Sequence, residues 1–430
     1  MLPWRPIALG TAAVVLAMLV SAVLGGALPG GAAAADTPRL PPLDLGPIAP
    51  PLPGQPSEPS QDPFYRPPHD LAGADPGDLL RYRASRVQLA PGGVASAPVR
   101  AWQVLYRSST AGDRPDAVSG TVLVPETPWT GPGPRPIVSY TVGTHGLGDQ
   151  CAPSYQLASG TEFEYTVFEL ALVRGWAVAV TDYEGLGTPG EHTYAVAVTE
   201  GRAALDIARA AMRVPGAGLS EHAPVALWGY SQGGGAAASA GEQARHYAPE
   251  LRTVGVAEGG VPSDLRAVLA GVDGGAGFAL LAGATAGFDT AYPRIGIHDL
   301  LNADGRRLLD QIRHECAAQF ATHAGHHLDE YTRIPGLLNF PPVVHAMARN
   351  RIGGTAPDMP VLLYRAQLDE LIPASVSQAQ LAEYCARGVR IRYTEVPAAT
   401  HIPGGSLGAP AAVTWLADRF AGHPAPTSCH

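Results

Sequence analysis

The sequence predicts an α/β fold, a mostly parallel sheet with a helical cap inserted into it. Three observations lead there. "PIVSYTVGTHG", "WAVAVTDYEGLG" and "PVALWGYSQGG" each carry a continuous apolar run that ends in a polar, glycine-bearing loop. Such a run suits a strand covered on both faces, as in parallel sheets. "TYAVAVTEGRAALDIARAAMRV" and "GGAAASAGEQARHYAPEL" follow the second and third runs with helical composition and spacing, so strands and helices alternate. From Pro262 to Asp358 only short, glycine-interrupted helical stretches appear ("AVLAGVDGGAGFALLAGATAGF", "RRLLDQIRHECAAQFATH", "FPPVVHAMARN"), before "MPVLLYRAQLDELIP" restores a strand and a polar loop.

Taken in order, residues 1–35 read as an export signal. Arg5 supplies a positive start, Ile7 to Leu28 is nearly all apolar, and Ala32 to Ala35 offers small residues for cleavage after Ala35. A retained membrane anchor is the competing reading, since about 20 apolar residues can span a bilayer. Residues 36–62 are dense in proline, which favours an extended linker; Phe64 and Tyr65 in "DPFYRPP" are candidate anchors on the body. The body then occupies residues 63–261 and 359–430, on either side of the cap at 262–358. Within it, "WQVLYRSS" and "AVSGTVLVP" read as paired strands closed by the turn-prone "AGDRPD".

Composition bounds the function. With 430 residues, 46% hydrophobic and only 16% charged, the chain can bury a large core and an enclosed site. Its formal net charge is -9 and it contains no lysine, which speaks against nucleic acid as a partner. Four cysteines, Cys151, Cys316, Cys385 and Cys429, suggest two disulfides in an exported chain, with three connectivities open. Zinc is the weaker reading of these cysteines, because no two stand at C-x-x-C spacing.

The chemistry centres on Ser231 in "GYSQG". In G-x-S-x-G, a strand-to-helix turn tight enough to project the serine hydroxyl brings backbone close to the flanking glycines, here Gly229 and Gly233, where side chains would clash. "VALW" before and "GGAAASAGEQA" after supply the strand and the helix. A serine hydroxyl needs a base, and the base needs a carboxylate to hold its tautomer. In α/β-hydrolases these follow the serine in the order acid, then histidine. Asp369 in "AQLDELIP" ends the strand after the cap, and His401 in "ATHIPGG" comes later. Glu370 is the rival acid. For the oxyanion, backbone N–H groups are expected from Gln232, after the nucleophile, and from Thr144 in the loop after an earlier strand. His145 lies beside that loop but precedes the serine, the wrong order for the base. His323, His326 and His327 beside Asp329 and Glu330 gather possible metal ligands without a recognised motif, so they read as a solvated cap surface. Neither a metal nor a cofactor is expected.

Together, "DPFYRPP", "GTHGLGDQCAPSY", "TDYEGLG", "GYSQGG", "AQLDELIP" and "THIPGG" resemble the secretory lipase family of the lipase A type. The likeness runs from about Asp62 to Cys429. It implies an α/β-hydrolase body, a helical cap between nucleophile and acid, and hydrolysis of acylglycerols or similar esters. It places the family's nucleophile on Ser231, its acid on Asp369 and its base on His401. It also implies a bridge from Cys151 to Cys316; Cys385 to Cys429 is the pairing favoured with it. The chain departs from yeast-type members in carrying "YTVGTH" where their oxyanion loop has an acidic residue.

The expected function is therefore a secreted serine esterase or lipase acting on a lipid or small ester, with transient contact at a lipid–water interface and a location outside the cell or at its envelope. An α/β-hydrolase peptidase would share the three residues and differ in its pocket. A catalytically silent envelope-binding protein of the same fold is the alternative from another class.

Overall fold

The computed structural model describes residues 55–93 and 95–429. The export signal, its cleavage after Ala35 and most of the proline-rich linker lie outside those residues. Among the described residues nine strands form one sheet in the order β1-β2-β3-β5-β4-β6-β7-β8-β9. They are β1 (Leu79–Ser85), β2 (Val99–Ser109), β3 (Pro115–Pro125), β4 (Ile137–Thr141), β5 (Ala177–Thr181), β6 (Val225–Tyr230), β7 (Thr253–Gly259), β8 (Val361–Ala366) and β9 (Ile391–Val396). Pairings from β1 through β3 to β5 are antiparallel and all others parallel. The unbroken apolar runs of β4, β5 and β6 are buried along their whole length, as strands covered on both faces must be.

Helices cover the sheet: α1 (Pro153–Ser159), α2 (Tyr165–Val173), α3 (Ala197–Arg213) and α4 (Gln232–Tyr247), then α10 (Ala374–Ala386) and α11 (His401–Phe420) after β8. Between β7 and β8 the chain leaves the sheet for α5 (Leu265–Val272), α6 (Phe278–Ala291), α7 (Ile297–Leu300), α8 (Ala303–Ile312) and α9 (Pro341–Arg349), with 3-10 turns between them. This helical segment has a core of its own, built on Leu269, Phe278, Leu281, Ile297, Leu309 and Ile312. The main core, with Phe168, Leu227 and Trp228, is formed on the sheet.

The strand order locates the site. The chain passes from β4 to β5 on one side, then returns across β4 to β6 on the other. The carboxyl ends of β4 and β6 therefore border a switch point, where open α/β sheets form their crevices.

Some expectations change. Residues 55–62, read as the end of an extended linker, lie against the body. Pro59 is buried, Gln55 Nε2 donates to Ser159 O at 3.3 Å, and Phe64 and Tyr65 are buried just beyond. "RRLLDQIRHECAAQFATH" is not one helix: α8 ends at Ile312 and a 3-10 turn runs from Ala317 to His323. Between them, Leu147 N–H donates to Glu315 O and Ala317 N–H to His145 O, both at 2.9 Å, and backbone committed to that bridge cannot continue a helix. The disulfides join Cys151 to Cys316 and Cys385 to Cys429, the pairings expected.

Candidate active site

β6 delivers Ser231 at a sharp turn, and α4 starts at the next residue. Ser231 has φ 59° and ψ −122°, a left-handed conformation that costs a non-glycine residue about 1–3 kcal/mol. The flanking glycines make the turn sterically feasible. A Cβ at Gly229 would collide with Thr141 Oγ1 and Gly233 O, and one at Gly233 with Thr141 O. Hydrogen bonds hold the turn, from Ser231 N–H to Gly259 O at 2.9 Å and from Gly235 N–H to Ser231 O at 3.0 Å.

Asp369 follows β8, and His401 opens α11. His401 Nε2 lies 2.8 Å from Ser231 Oγ, and its Nδ1 lies 2.9 Å from each oxygen of Asp369. Tyr230 backs the imidazole, with ring centroids 5.2 Å apart. Asp369 accepts N–H bonds from Leu371 at 3.1 Å and Ile372 at 2.8 Å. Burial works against its charge, but His401 and these two N–H groups outweigh burial and hold the carboxyl below its usual range. Glu370, the rival acid, accepts the backbone N–H of His401 at 2.8 Å, so it caps the helix and leaves the ring to Asp369.

The loop after β4 runs beside the serine: a Cβ at Gly143 would stand 3.8 Å from Ser231 Cβ. The N–H groups of Thr144 and Gln232 donate to no backbone carbonyl among the described residues. The Thr144 hydroxyl pairs with Tyr194 OH at 2.8 Å, and the Gln232 amide donates to Glu200 Oε1 at 2.8 Å. His145 is buried behind this loop, between Gly143 O and Glu162, and does not line the crevice. The three cap histidines go to separate carboxylates: His323 to Glu315 at 2.7 Å, His326 to Glu330 at 3.1 Å and His327 to Asp273 at 3.6 Å. Among the described residues no group of three or more His, Cys, Asp or Glu is arranged to hold a metal ion.

Ser231 and His401 open into a mainly aliphatic crevice that includes Leu265, Val268, Leu269, Leu280, Ala284 and Ile372. Of the small residues Ala282, Ala284 and Gly287 on α6, only Ala284 lines it. Ala282 is buried in the segment's own core, and a Cβ at Gly287 would collide with the backbone of Tyr194. Close helix packing explains that glycine. Glu200, Tyr194 and Asn350 also line the crevice and are missing from the sequence reading. Nothing in "TEGRAALD" or "RNRIGG" distinguishes the glutamate or the asparagine from surface residues.

Glu184 and Glu200 are each pushed up to about 8, in both cases chiefly by burial. An unfolded glutamate releases its proton near about 4.3, so between that pH and about 8 the folded chain holds more protons and stability falls as pH rises. Asp369 acts in the opposite sense, contributing above its unfolded pKa of about 3.9 and losing that contribution in acid. His192, kept neutral by burial down to about 4, acts in that same sense up to its unfolded pKa of about 6.5, and one histidine over so short a stretch is outweighed by the two glutamates. The melting temperature should therefore be higher near about pH 6 than near about pH 9, and Glu200→Gln should flatten the slope. A melting temperature that rises across that interval in calorimetry would contradict the assignment.

A serine on a strained strand-to-helix turn, at the switch point of a mostly parallel sheet with a helical insertion, is the arrangement of the α/β-hydrolase fold. The chain belongs to the secretory lipase family, whose model matches residues 152–428, and so to the carboxylic ester hydrolases. It is similar to a probable inactive lipase of Mycobacterium tuberculosis, with 35% identity over 387 residues, 86% of this chain and 84% of that protein. Lipase 10 of Candida albicans is 31% identical over 398 residues, covering 86% of this chain and 83% of the relative. The closed state of Candida antarctica lipase A shares the fold with a TM-score of 0.78 and 24% identity, over 87% of this chain and 89% of that one.

Proposed function

We propose that the chain is a secreted lipase or esterase that cleaves carboxylic esters, acylglycerols among them, through an acyl-enzyme on Ser231. The observation that carries this reading is the chain of short contacts from Asp369 through His401 to Ser231 Oγ, at the mouth of an aliphatic crevice. In the first half-reaction His401 takes the proton of Ser231 as Oγ attacks the ester carbonyl carbon. Negative charge moves onto the carbonyl oxygen, where the N–H groups of Gln232 and Thr144 stabilise it. The carbonyl re-forms as the alcohol leaves with the proton held by His401. Water, deprotonated by the same imidazole, then attacks the acyl carbon and releases the acid, restoring Ser231. Asp369 keeps the Nδ1 proton in place and stabilises the imidazolium of each step.

The helical segment between β7 and β8 serves as a cap that shapes the acyl pocket. Leu368 and Ile402, neighbours in sequence of the acid and the base, are 58% and 68% exposed and suit transient contact with a lipid–water interface. The family, the two disulfides and the apolar N-terminal stretch support export. Introducing bulk at Ala284 should shift the preferred acyl length by about 1–3 kcal/mol of selectivity. A hydrolysis profile over nitrophenyl esters that superimposes on that of the wild type would remove Ala284 from the pocket. Gly287→Leu should instead lower the melting temperature, because it strikes the Tyr194 backbone.

A silent protein of the same fold is the second reading, favoured by the 35% identity to a probable inactive lipase. A serine-directed fluorophosphonate separates the two. Labelling of the wild type with none in Ser231→Ala supports the enzyme, and an unlabelled wild type that hydrolyses none of the nitrophenyl esters supports the silent protein.

A further inference from the structure

His145 takes no part in the chemistry above, yet it is buried and charged beside the oxyanion loop. Its Nδ1 lies 2.9 Å from Gly143 O, and its Nε2 lies 2.9 and 3.0 Å from the two oxygens of Glu162. Both neighbours are acceptors, so both ring nitrogens carry protons and the ring is an imidazolium. Burial opposes that charge, but Glu162, by its charge and its hydrogen bond, prevails with help from Glu164 and Gly143 O and raises His145 to about 9. Phe163 stacks on the ring with centroids 4.3 Å apart. Glu162 also accepts the Glu164 N–H at 2.8 Å, and Glu164 in turn accepts Gly143 N–H at 2.8 Å and Tyr140 OH at 2.7 Å. Gly143 is thus held at both ends, its N–H by Glu164 and its C=O by His145.

The consequence falls on the next residue. A trans peptide is planar, with its C=O and N–H pointing in opposite directions, so holding Gly143 O also sets the direction of the Thr144 N–H. Glycine offers little resistance to rotation of that peptide. A flip would break the bond to His145 and turn the Gly143 oxygen, an acceptor, to the side the Thr144 N–H had occupied. The outer edge of the loop is secured separately, by the backbone bonds to Glu315 and Ala317 and the Cys151–Cys316 bridge.

We propose that His145, held by Glu162, is a positioning residue that locks the Gly143–Thr144 peptide with the Thr144 N–H directed at the oxyanion formed on Ser231. The proposal rests on reading Ser231 as the nucleophile. His145→Gln keeps a donor toward Glu162 and loses the one toward Gly143. His145→Leu loses both, whereas His145→Asn places an amide nitrogen where Nδ1 stands. The Gln and Leu variants are expected to lose about 10²-fold in kcat, with KM within about threefold of the wild type. Asn should recover kcat to within about tenfold of the wild type. That rescue separates the lock from packing, because Leu fills much the same space as Asn. A folded Gln or Leu variant with wild-type kcat, or an Asn variant no better than Leu, overturns the proposal while leaving the nucleophile in place. A wild type inert to both esters and fluorophosphonate removes the nucleophile reading and this proposal with it. Should both donor-deficient variants fail to fold, the wild-type phosphonate adduct decides: its structure should show the phosphoryl oxygen within hydrogen-bond reach of Thr144 N, with Gly143 O still on His145. An oxygen directed elsewhere overturns the proposal.

Discussion

Ser231→Ala and His401→Ala are each expected to lower kcat by on the order of 10⁶-fold, and the double variant should lose little more. The two side chains act as one unit: the hydroxyl is a weak nucleophile until Nε2, 2.8 Å away, accepts its proton. Once either is gone, the other has nothing left to contribute. The fold should survive, because alanine retains the Cβ that the turn at φ 59° already accommodates. The Ser231 hydroxyl lines the crevice and packs no core. Single and double variants compared by ester hydrolysis, with melting temperatures alongside, check this. Losses that multiply in the double variant would show that the two residues work independently and would remove the triad.

Asp369→Asn should cost about 10⁴-fold in kcat with little change in KM. The neutral amide cannot stabilise the imidazolium. Its NH2 also favours the imidazole tautomer that leaves the proton on Nε2, where it faces Ser231 Oγ in place of a free lone pair. Glu370→Gln is the contrast, because its side-chain oxygen still accepts the His401 N–H at the start of α11. Its loss should stay within about tenfold. If Glu370→Gln costs more than Asp369→Asn, the acid has been assigned to the wrong member of the pair.

Much of the site was legible because its requirements are local. Gly229 and Gly233 flank Ser231 for a steric reason confined to a few residues, and the structure places Thr141 and Gly233 where their side chains would fall. The apolar runs of β4, β5 and β6 signalled strands buried on both faces, and they are. β7 carries no such signal, because "TVGVAEG" has Gly255, Glu258 and Gly259 in place of a clean apolar run. Glu258 is nonetheless buried there, against Gln380 of α10 at 2.6 Å.

By itself the sequence determined the class of the fold, the turn that presents Ser231, and the order of acid and base along the chain, because each follows from steric and apolar patterns within a short window. Tertiary structure decided how those residues meet. "HIPGGSLGAP" has the composition of a loop, yet it opens a 20-residue helix that sets the imidazole of His401. Its glycines lie where a Cβ would press on Tyr230 (Gly404, Gly405) and Tyr364 (Gly408), so packing against the sheet overrides the low helix propensity of the segment. The Glu162, Glu164 and His145 cluster that holds Gly143, and the Glu200, Tyr194 and Asn350 that line the crevice, likewise depend on buried contacts between separate elements. Such contacts leave no periodicity to read, because their energy comes from which groups are desolvated together once the chain has folded.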